Sequence, residues 1–443
     1  MSMKDRNELA VTGATPAALA SFDAALDGFH CYSGNPLELA EAAIAAAPGF
    51  AMAHALRAHL MLSAVEGAAV APARESIAAA RQHAGTSREK LHAAAAEALA
   101  EGRFDDAQER FEDILLEHPH DTLALQMAHI FDFMRGDARN LRDRIVRVLP
   151  AWSDSLPAYH AVQGMLAFGL EENGEYTKAE EAGRRACALK SRDAWARHAV
   201  AHVMEMQGRT SDGIAWLRDS EADWATDNFM AVHNWWHLAL YHLDREETDM
   251  VLKLYDEHVR GGKSGVAIDL IDASAMLWRL QLRGIEPGTA RWADIAESWA
   301  PLADDDIYAF NNVHALIAFI GAGHSELAIR AMAALRRAAS QGRGSNAAMS
   351  AQVGVPVAEA LLAFAEGRYE QCVSWLRPVR AIAHRFGGSH AQRDLLDLTL
   401  IEAARRAGQH RLVAALAAER LRVKPASPLA QRYRLLATDR VAA

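Results

Sequence analysis

The sequence predicts an all-α fold, an α-solenoid (superhelix) of stacked helical hairpins, and three observations carry that prediction. The chain is dense in Ala, Leu, Glu and Arg, the strong helix formers, and nearly lacks the alternating β-branched runs that mark strands. Apolar, Ala-rich stretches end at a Gly, and a small or short side chain stands five residues later: Gly102 with Ala107, Gly174 with Ala179, Gly208 with Gly213, Gly323 with Ala328, Gly367 with Cys372, and more loosely Gly408 with Val413. Gly102 to Gly136 is 34 residues, Gly136 to Gly174 is 38 and Gly174 to Gly208 is again 34, which is the spacing of helix-turn-helix repeats. Gly lets the first helix end in a left-handed conformation, and the small residue one turn into the second lets the two approach closely.

Composition sets the outer limits. Of 443 residues, 51% are hydrophobic and 23% charged, with 28 Gly and 13 Pro, enough for a large core and too little bias for disorder or a fibre. A net charge of -10 disfavours general binding to nucleic acid or an anionic membrane, because phosphate contacts need a basic surface. The three cysteines, Cys31, Cys187 and Cys372, form no CxxC pair, so neither a disulfide framework nor a cysteine zinc site is expected. Charges in the first eight residues occupy the place of a signal peptide's apolar stretch, and no run of about 18 uninterrupted apolar residues follows, so the expectation is a cytoplasmic protein.

Taken in order, residues 1–14 read as a flexible arm and the whole of 1–443 as a single helical-repeat domain, its motifs best defined over 150–400. The clearest hairpins are "AEALAEGRFDDAQERFEDILLEHP" from Ala95 and "GMLAFGLEENGEYTKAEEAGRRACAL" from Gly164. These resemble the tetratricopeptide repeat, including the polar turn after Gly and the closing Pro119. A single hairpin cannot bury its apolar face, so the units must stack, with one concave face. Around Trp292–Phe310 and Gly342–Val355 the pattern blurs and loops or irregular turns are expected. A more particular likeness follows in "DAWARHAVAHVMEMQGRTSDGIAWL" from Asp193, "HNWWHLALYHLD" from His233, "LYDEHV" from Leu254, "DLIDASAMLWRLQLRG" from Asp269, "FNNVHALIA" from Phe310 and "GGSHAQRDLL" from Gly387. These resemble the tetratricopeptide repeat protein 38 family, which implies a closed-up helical-repeat fold without a settled activity.

The same stretch carries the candidate chemistry. His198 and His202 stand four apart on one predicted helix, and His233 and His237 four apart on another, so each pair projects from one face. Both offsets, 198 to 233 and 202 to 237, equal 35, one repeat, which places the pairs at equivalent positions on neighbouring helices. Glu205 extends the first face. Four imidazoles and a carboxylate could hold a zinc or iron ion, or act as general acid and base with Glu205 or Asp272 orienting the ring. They could equally serve as polar cement between helices, bonded to one another, Asn234, Asn312 and the backbone. Asp269 and Asp272 open an apolar helix that ends in Trp278 and Arg279, while His390, Arg393 and Asp394 make a similar polar face later. Asp269 could cap its helix. Arg279 and Arg393 suit an anion, because guanidinium offers a bidentate fork. Trp195, Asn312 and His314 complete the expected ligand-binding set, with Trp235, Trp236, Trp278, Phe168, Tyr308 and Phe310 as apolar walls. Trp235 and Trp236 point about 100° apart on a helix, so at most one faces the site.

Other signals fail. "GGKSG" at Gly261–Gly265 has Glu257 where a phosphate loop needs its first Gly, and reads as an interhelix turn. No Gly-x-Ser-x-Gly occurs, and Glu89 with His92 is a lone di-iron half-motif. The expected function is a helical-repeat protein whose histidine-rich, Trp-flanked pocket binds a small polar or anionic molecule or a peptide end, with no obligatory cofactor. The alternatives are an enzyme in the same pocket and an assembly scaffold without one; self-association is compatible with all three, whereas nucleic acid and membrane are not expected partners.

Overall fold

The computed structural model describes residues 3–342 and 344–441, and within them the fold is the expected all-α stack of tetratricopeptide-like hairpins. The chain divides into two compact units. The first comprises Met1–Val200, Glu221–Ala231 and Arg343–Ser345; the second comprises Ala201–Ser220, Val232–Gly342 and Asn346–Ala443. Successive hairpins of the first include Ser87–Ala100 with Phe104–Glu117, Thr122–Met134 with Ala138–Val148, and Tyr159–Glu172 with Tyr176–Leu189. Those of the second include Ala267–Leu282 with Thr289–Trp299, Ala309–Ala322 with Ser325–Ser340, Val355–Ala365 with Tyr369–Arg380, and His390–Arg406 with His410–Val423.

The glycine device works as its chemistry demands. Gly102, Gly174, Gly208, Gly323, Gly367 and Gly408 all have φ between 69° and 74°, or 76° at Gly174, in the left-handed region. In each case the next residue's amide donates to the carbonyl five positions back, as Arg103 to Ala98 at 2.8 Å and Arg368 to Ala363 at 2.8 Å, satisfying a carbonyl that the helix end would orphan. The small residue five later is buried at every copy, most stringently at Gly213, where an added Cβ would stand 2.2 Å from Cζ of Tyr241.

The first unit also repeats a polar clasp between hairpins. Asp121 caps Thr122–Met134 by accepting from the Ala124 amide at 2.9 Å and also faces His92 Nε2 at 2.9 Å. Asp193 accepts from the Ala196 amide at 2.9 Å and faces His160 Nδ1 at 2.7 Å. One buried carboxylate thus ends a helix and ties it to the preceding hairpin. Glu89, beside His92, accepts from the amides of Thr12 and Gly85 and closes a capping box with Thr86, so the isolated half-motif is structural.

Two expectations are corrected. Met1 and Ser2 lie outside the described residues, but from Met3 onward the expected arm is a small β-hairpin, Met3–Lys4 antiparallel to Ala10–Val11. Buried Arg88 holds it by donating to Asp5 at 3.3 Å, and Asn7 donates to Thr122 Oγ1 at 3.2 Å. The irregular stretches are largely helical: Thr289–Trp299 is a helix, and Ser345–Met349 runs through a π-turn, Ser350–Gly354, into Val355–Ala365. That last run is long and apolar enough to cross a membrane, yet 61% of its apolar window is buried, as for a core helix of a helical stack. Gly261–Gly265 lies in the turn between Tyr255–Val259 and Ala267–Leu282, as expected.

Candidate functional site

In the second unit, His202, His233 and His237 converge. Each offers a ring nitrogen within 4.8 Å of the others, and the ring centroids of His202 and His233 lie 4.4 and 4.9 Å from that of His237. Two carboxylates hold the rings: Glu205 accepts from His237 Nδ1 at 2.8 Å, and Asp272 from His233 Nδ1 at 2.7 Å. Trp236 stacks on His233 at 5.3 Å and meets His237 edge-on at 5.0 Å, so of the two tryptophans it is Trp236 that faces the cluster. Trp235 turns away, stacking at 3.8 Å on His258. Burial, then the neighbouring imidazoles of His202 and His233, hold the pKa of His237 well below its ordinary value. His198 stands one turn before His202 on helix Ala194–Met206, in the first unit's segment, where it packs on Phe168 at 5.5 Å and Trp195 at 4.9 Å.

These histidines are buried, and they are not among the residues that line the cavity beside them. The cavity lies beyond Glu205: about 410 Å³, bounded by Glu205, Arg380, His384, His390, Arg393, Asp394, Arg420 and Lys424 among others. Helix His390–Arg406 supplies His390, Arg393 and Asp394 from its first turns, with Ser389 capping it, and helix His410–Val423 supplies Arg420. Ion pairing orders the wall. Arg380 bridges Asp397 and Glu419, Arg420 donates to Asp394 at 3.1 Å, and Lys424 reaches Asp244 at 3.5 Å and Glu205 at 3.8 Å. Burial alone would raise the pKa of Asp394, but Arg420 overrides it and holds the carboxyl well below the usual range. Burial would lower that of Lys424, and Asp244 with Glu205 raises it instead. Arg393 donates to the Gly388 carbonyl and, at 3.4 Å, to His390 Nδ1.

Arg279 stands behind this wall, buried, over the Trp236 ring at 5.4 Å. Its guanidinium donates to the carbonyls of Ala391 at 2.6 Å and Ala275 at 3.3 Å, so it braces the segment that carries His390 and Arg393. Burial depresses its pKa.

The remaining residues expected at the ligand have partners within the protein. Trp195 belongs to an aromatic cluster of the first unit, stacked on Tyr32 at 5.6 Å and donating to His129 Nε2 at 3.2 Å. Asp269 sits in the first turn of Ala267–Leu282 bonded to Ser264, its pKa pushed up to about 6 by burial. Asn312 donates to the Asp305 carbonyl at 2.6 Å and not to the histidines. His314 is bonded at Nδ1 to the Phe310 carbonyl at 2.8 Å, its pKa lowered to about 4 by burial. Arg380, Arg420 and Lys424 were not singled out from the sequence, although Arg420 and Lys424, four apart, share one helical face. A larger apolar groove of about 810 Å³, lined by Ile320, Ala328, Ile329 and Met332 among others, holds none of the expected residues.

No protein-family model matches the chain. Among solved structures it is similar to the TPR domain of P58(IPK), at 14% identity over 84% of this chain and 93% of that one, with a TM-score of 0.22. It is also similar to yeast Tom70, at 10% identity over 96% of this chain and 86% of that one, with a TM-score of 0.33. The repeat assignment rests on the hairpins described above.

Proposed function

We propose that the second unit is a binding module for a small anionic molecule, a carboxylate or phosphate compound, held in the cavity between Glu205 and helix His390–Arg406. One observation carries this reading: His390, Arg393 and Asp394, expected from the sequence as ligand-binding residues, with Arg393 suited to an anion, meet Arg420 and Lys424 around one cavity of about 410 Å³ in a chain of net charge -10. The acids of the wall are each bridged to a base, Asp397 and Glu419 to Arg380, Asp394 to Arg420 and Glu205 to Lys424, and His390 and Arg393 line the same volume. A low-dielectric cleft strengthens each such contact. The volume suits a small molecule or a chain end better than an extended peptide. Three unpaired cysteines favour a reducing, cytoplasmic setting, and the quoted motifs favour kinship with the tetratricopeptide repeat protein 38 family.

Isothermal titration calorimetry with inorganic phosphate and with succinate tests the proposal. Saturable one-to-one binding by either anion, weakened about tenfold or more in Arg393→Ala, is expected, since one charge-assisted contact is worth about 1.5–3 kcal/mol. Absence of binding by both, or unchanged binding in Arg393→Ala, would refute it.

One observation favours a catalytic reading of the same cavity. Glu205 lines it and accepts from His237 at 2.8 Å, an acid-base pair with its carboxylate in reach of a ligand's proton. A bell-shaped pH dependence of any turnover found, abolished in Glu205→Gln, would distinguish it from binding alone.

A further inference from the structure

Behind the cavity, the histidine cluster carries a separate inference. The clasps of the first unit show what this fold does when histidine is only cement: Asp121 and Asp193 each cap a helix, and the imidazole is a second partner. Asp272 and Glu205 do not fit that pattern. Asp272 is the sixth residue of Ala267–Leu282, and Glu205 is the penultimate residue of Ala194–Met206, so neither can cap a helix N-terminus. Each instead fixes Nδ1 of one ring in a three-ring cluster, which leaves Nε2 as the coordinating atom of both His233 and His237. Carboxylates bonded to the outer nitrogen of a histidine are the usual second sphere of an imidazole-bound metal, setting tautomer and ring orientation.

Charge supplies the second, independent argument. Asp272 is fully buried; among the described residues it has no Lys or Arg ion pair, and its Oδ1 has no hydrogen-bond partner. A buried carboxylate with no Lys or Arg beside it is expensive unless a cation lies near. A divalent ion on the rings supplies that cation. These three rings offer nitrogen donors within 4.8 Å of one another, close enough to share one ion, and imidazoles without thiolate select borderline ions. The stacked and edge-on contacts of Trp236 keep two of the rings in place before any ion arrives.

We propose that His202, His233 and His237 coordinate one divalent zinc or ferrous ion, with Asp272 and Glu205 as its outer carboxylates. The site shares Glu205 with the anion cavity but none of its three histidines, and either can fail without the other. The test is elemental analysis of the purified full chain, then Co2+ titration of chelator-treated protein followed by visible absorption. Expected are one zinc or iron per chain, a melting temperature lowered by chelator and restored by Zn2+, and the d–d bands of nitrogen-coordinated Co2+. His202→Gln and His237→Gln should lose the ion, and Asp272→Asn should bind it about 10–100-fold more weakly. Far-UV circular dichroism checks the fold of each variant, and if the histidine variants unfold, the wild-type titration and Asp272→Asn still decide. Wild-type protein that is metal-free as purified and takes up no Co2+, or stoichiometric metal retained in folded His237→Gln, would overturn the proposal.

Discussion

Replacing Gly213 by Ala is the sharpest test of how the repeats approach one another. Gly213 sits in helix Thr210–Arg218, where Ala is intrinsically the better residue by roughly 0.5–1 kcal/mol. The structure reverses that sign. A Cβ there would lie 2.2 Å from Cζ and 2.6 Å from the hydroxyl of Tyr241, a fully buried ring whose OH donates to the Ala201 carbonyl at 2.6 Å. The ring must move, which costs about 1–3 kcal/mol as overpacking, and the hydroxyl's bond is lost, about 1 kcal/mol more. After the helix gain, Gly213→Ala should destabilise by about 1–3 kcal/mol, a fall in Tm of roughly 2–4 °C per kcal/mol for a unit of this size. Thermal and urea unfolding followed by circular dichroism read the change. In a Tyr241→Leu background the clash is gone, and the same substitution should become neutral or stabilising. A Gly213→Ala protein as stable as the wild type, with Tyr241 intact, would refute the close-approach argument.

Other perturbations test other parts of the account. Gly174→Val should cost more than about 1 kcal/mol from backbone strain alone, because φ is 76° and no neighbour lies within 4 Å; an unchanged melting temperature would contradict it. Asp193→Ala removes a cap and strands buried His160, so a loss of about 2–4 kcal/mol is expected in chemical denaturation, and a loss under about 0.5 kcal/mol would show the clasp to be incidental. His314 titrates at about 4 in the folded chain and near 6.5 unfolded, so the unfolded state binds more protons between those values. Its contribution is present above pH 6.5 and lost as pH falls towards 4, and His314→Gln should flatten the dependence of Tm on pH in that window; an identical slope would contradict the linkage.

What the sequence made legible is what local chemistry determines. The glycine-plus-small spacing needs nothing beyond two adjacent helices, and all its strict copies turn through one backbone geometry with the small partner buried. The offset of 35 likewise sufficed to bring His202, His233 and His237 together, because helices one repeat apart present equivalent faces. The cavity wall was less legible. Arg420 and Lys424 look like ordinary basic residues near a helix C-terminus, where they also suit the helix dipole, and only the packing of helix His410–Val423 shows that they face Asp394 and Glu205. For Arg279 a buried guanidinium suggests an anion, and the backbone carbonyls of Ala275 and Ala391 that it meets, the latter 112 positions away, were not legible. Trp195 misled because aromatic residues beside a polar motif are core more often than pocket, and Tyr32, which packs on it, is 163 positions away. The N-terminal residues read as an arm because their ties, Asp5 to Arg88 and Asn7 to Thr122, are equally remote in sequence.

The central claim is that an anion occupies the cavity beyond Glu205, and diffraction from crystals soaked in selenate tests it most directly, since selenium marks the ion by anomalous scattering. The account predicts one strong peak within hydrogen-bonding distance of Arg393, His390 and Lys424, displaced by excess phosphate and missing in Arg393→Ala crystals. A cavity without a peak, while selenate is bound elsewhere on the same molecule, would contradict it.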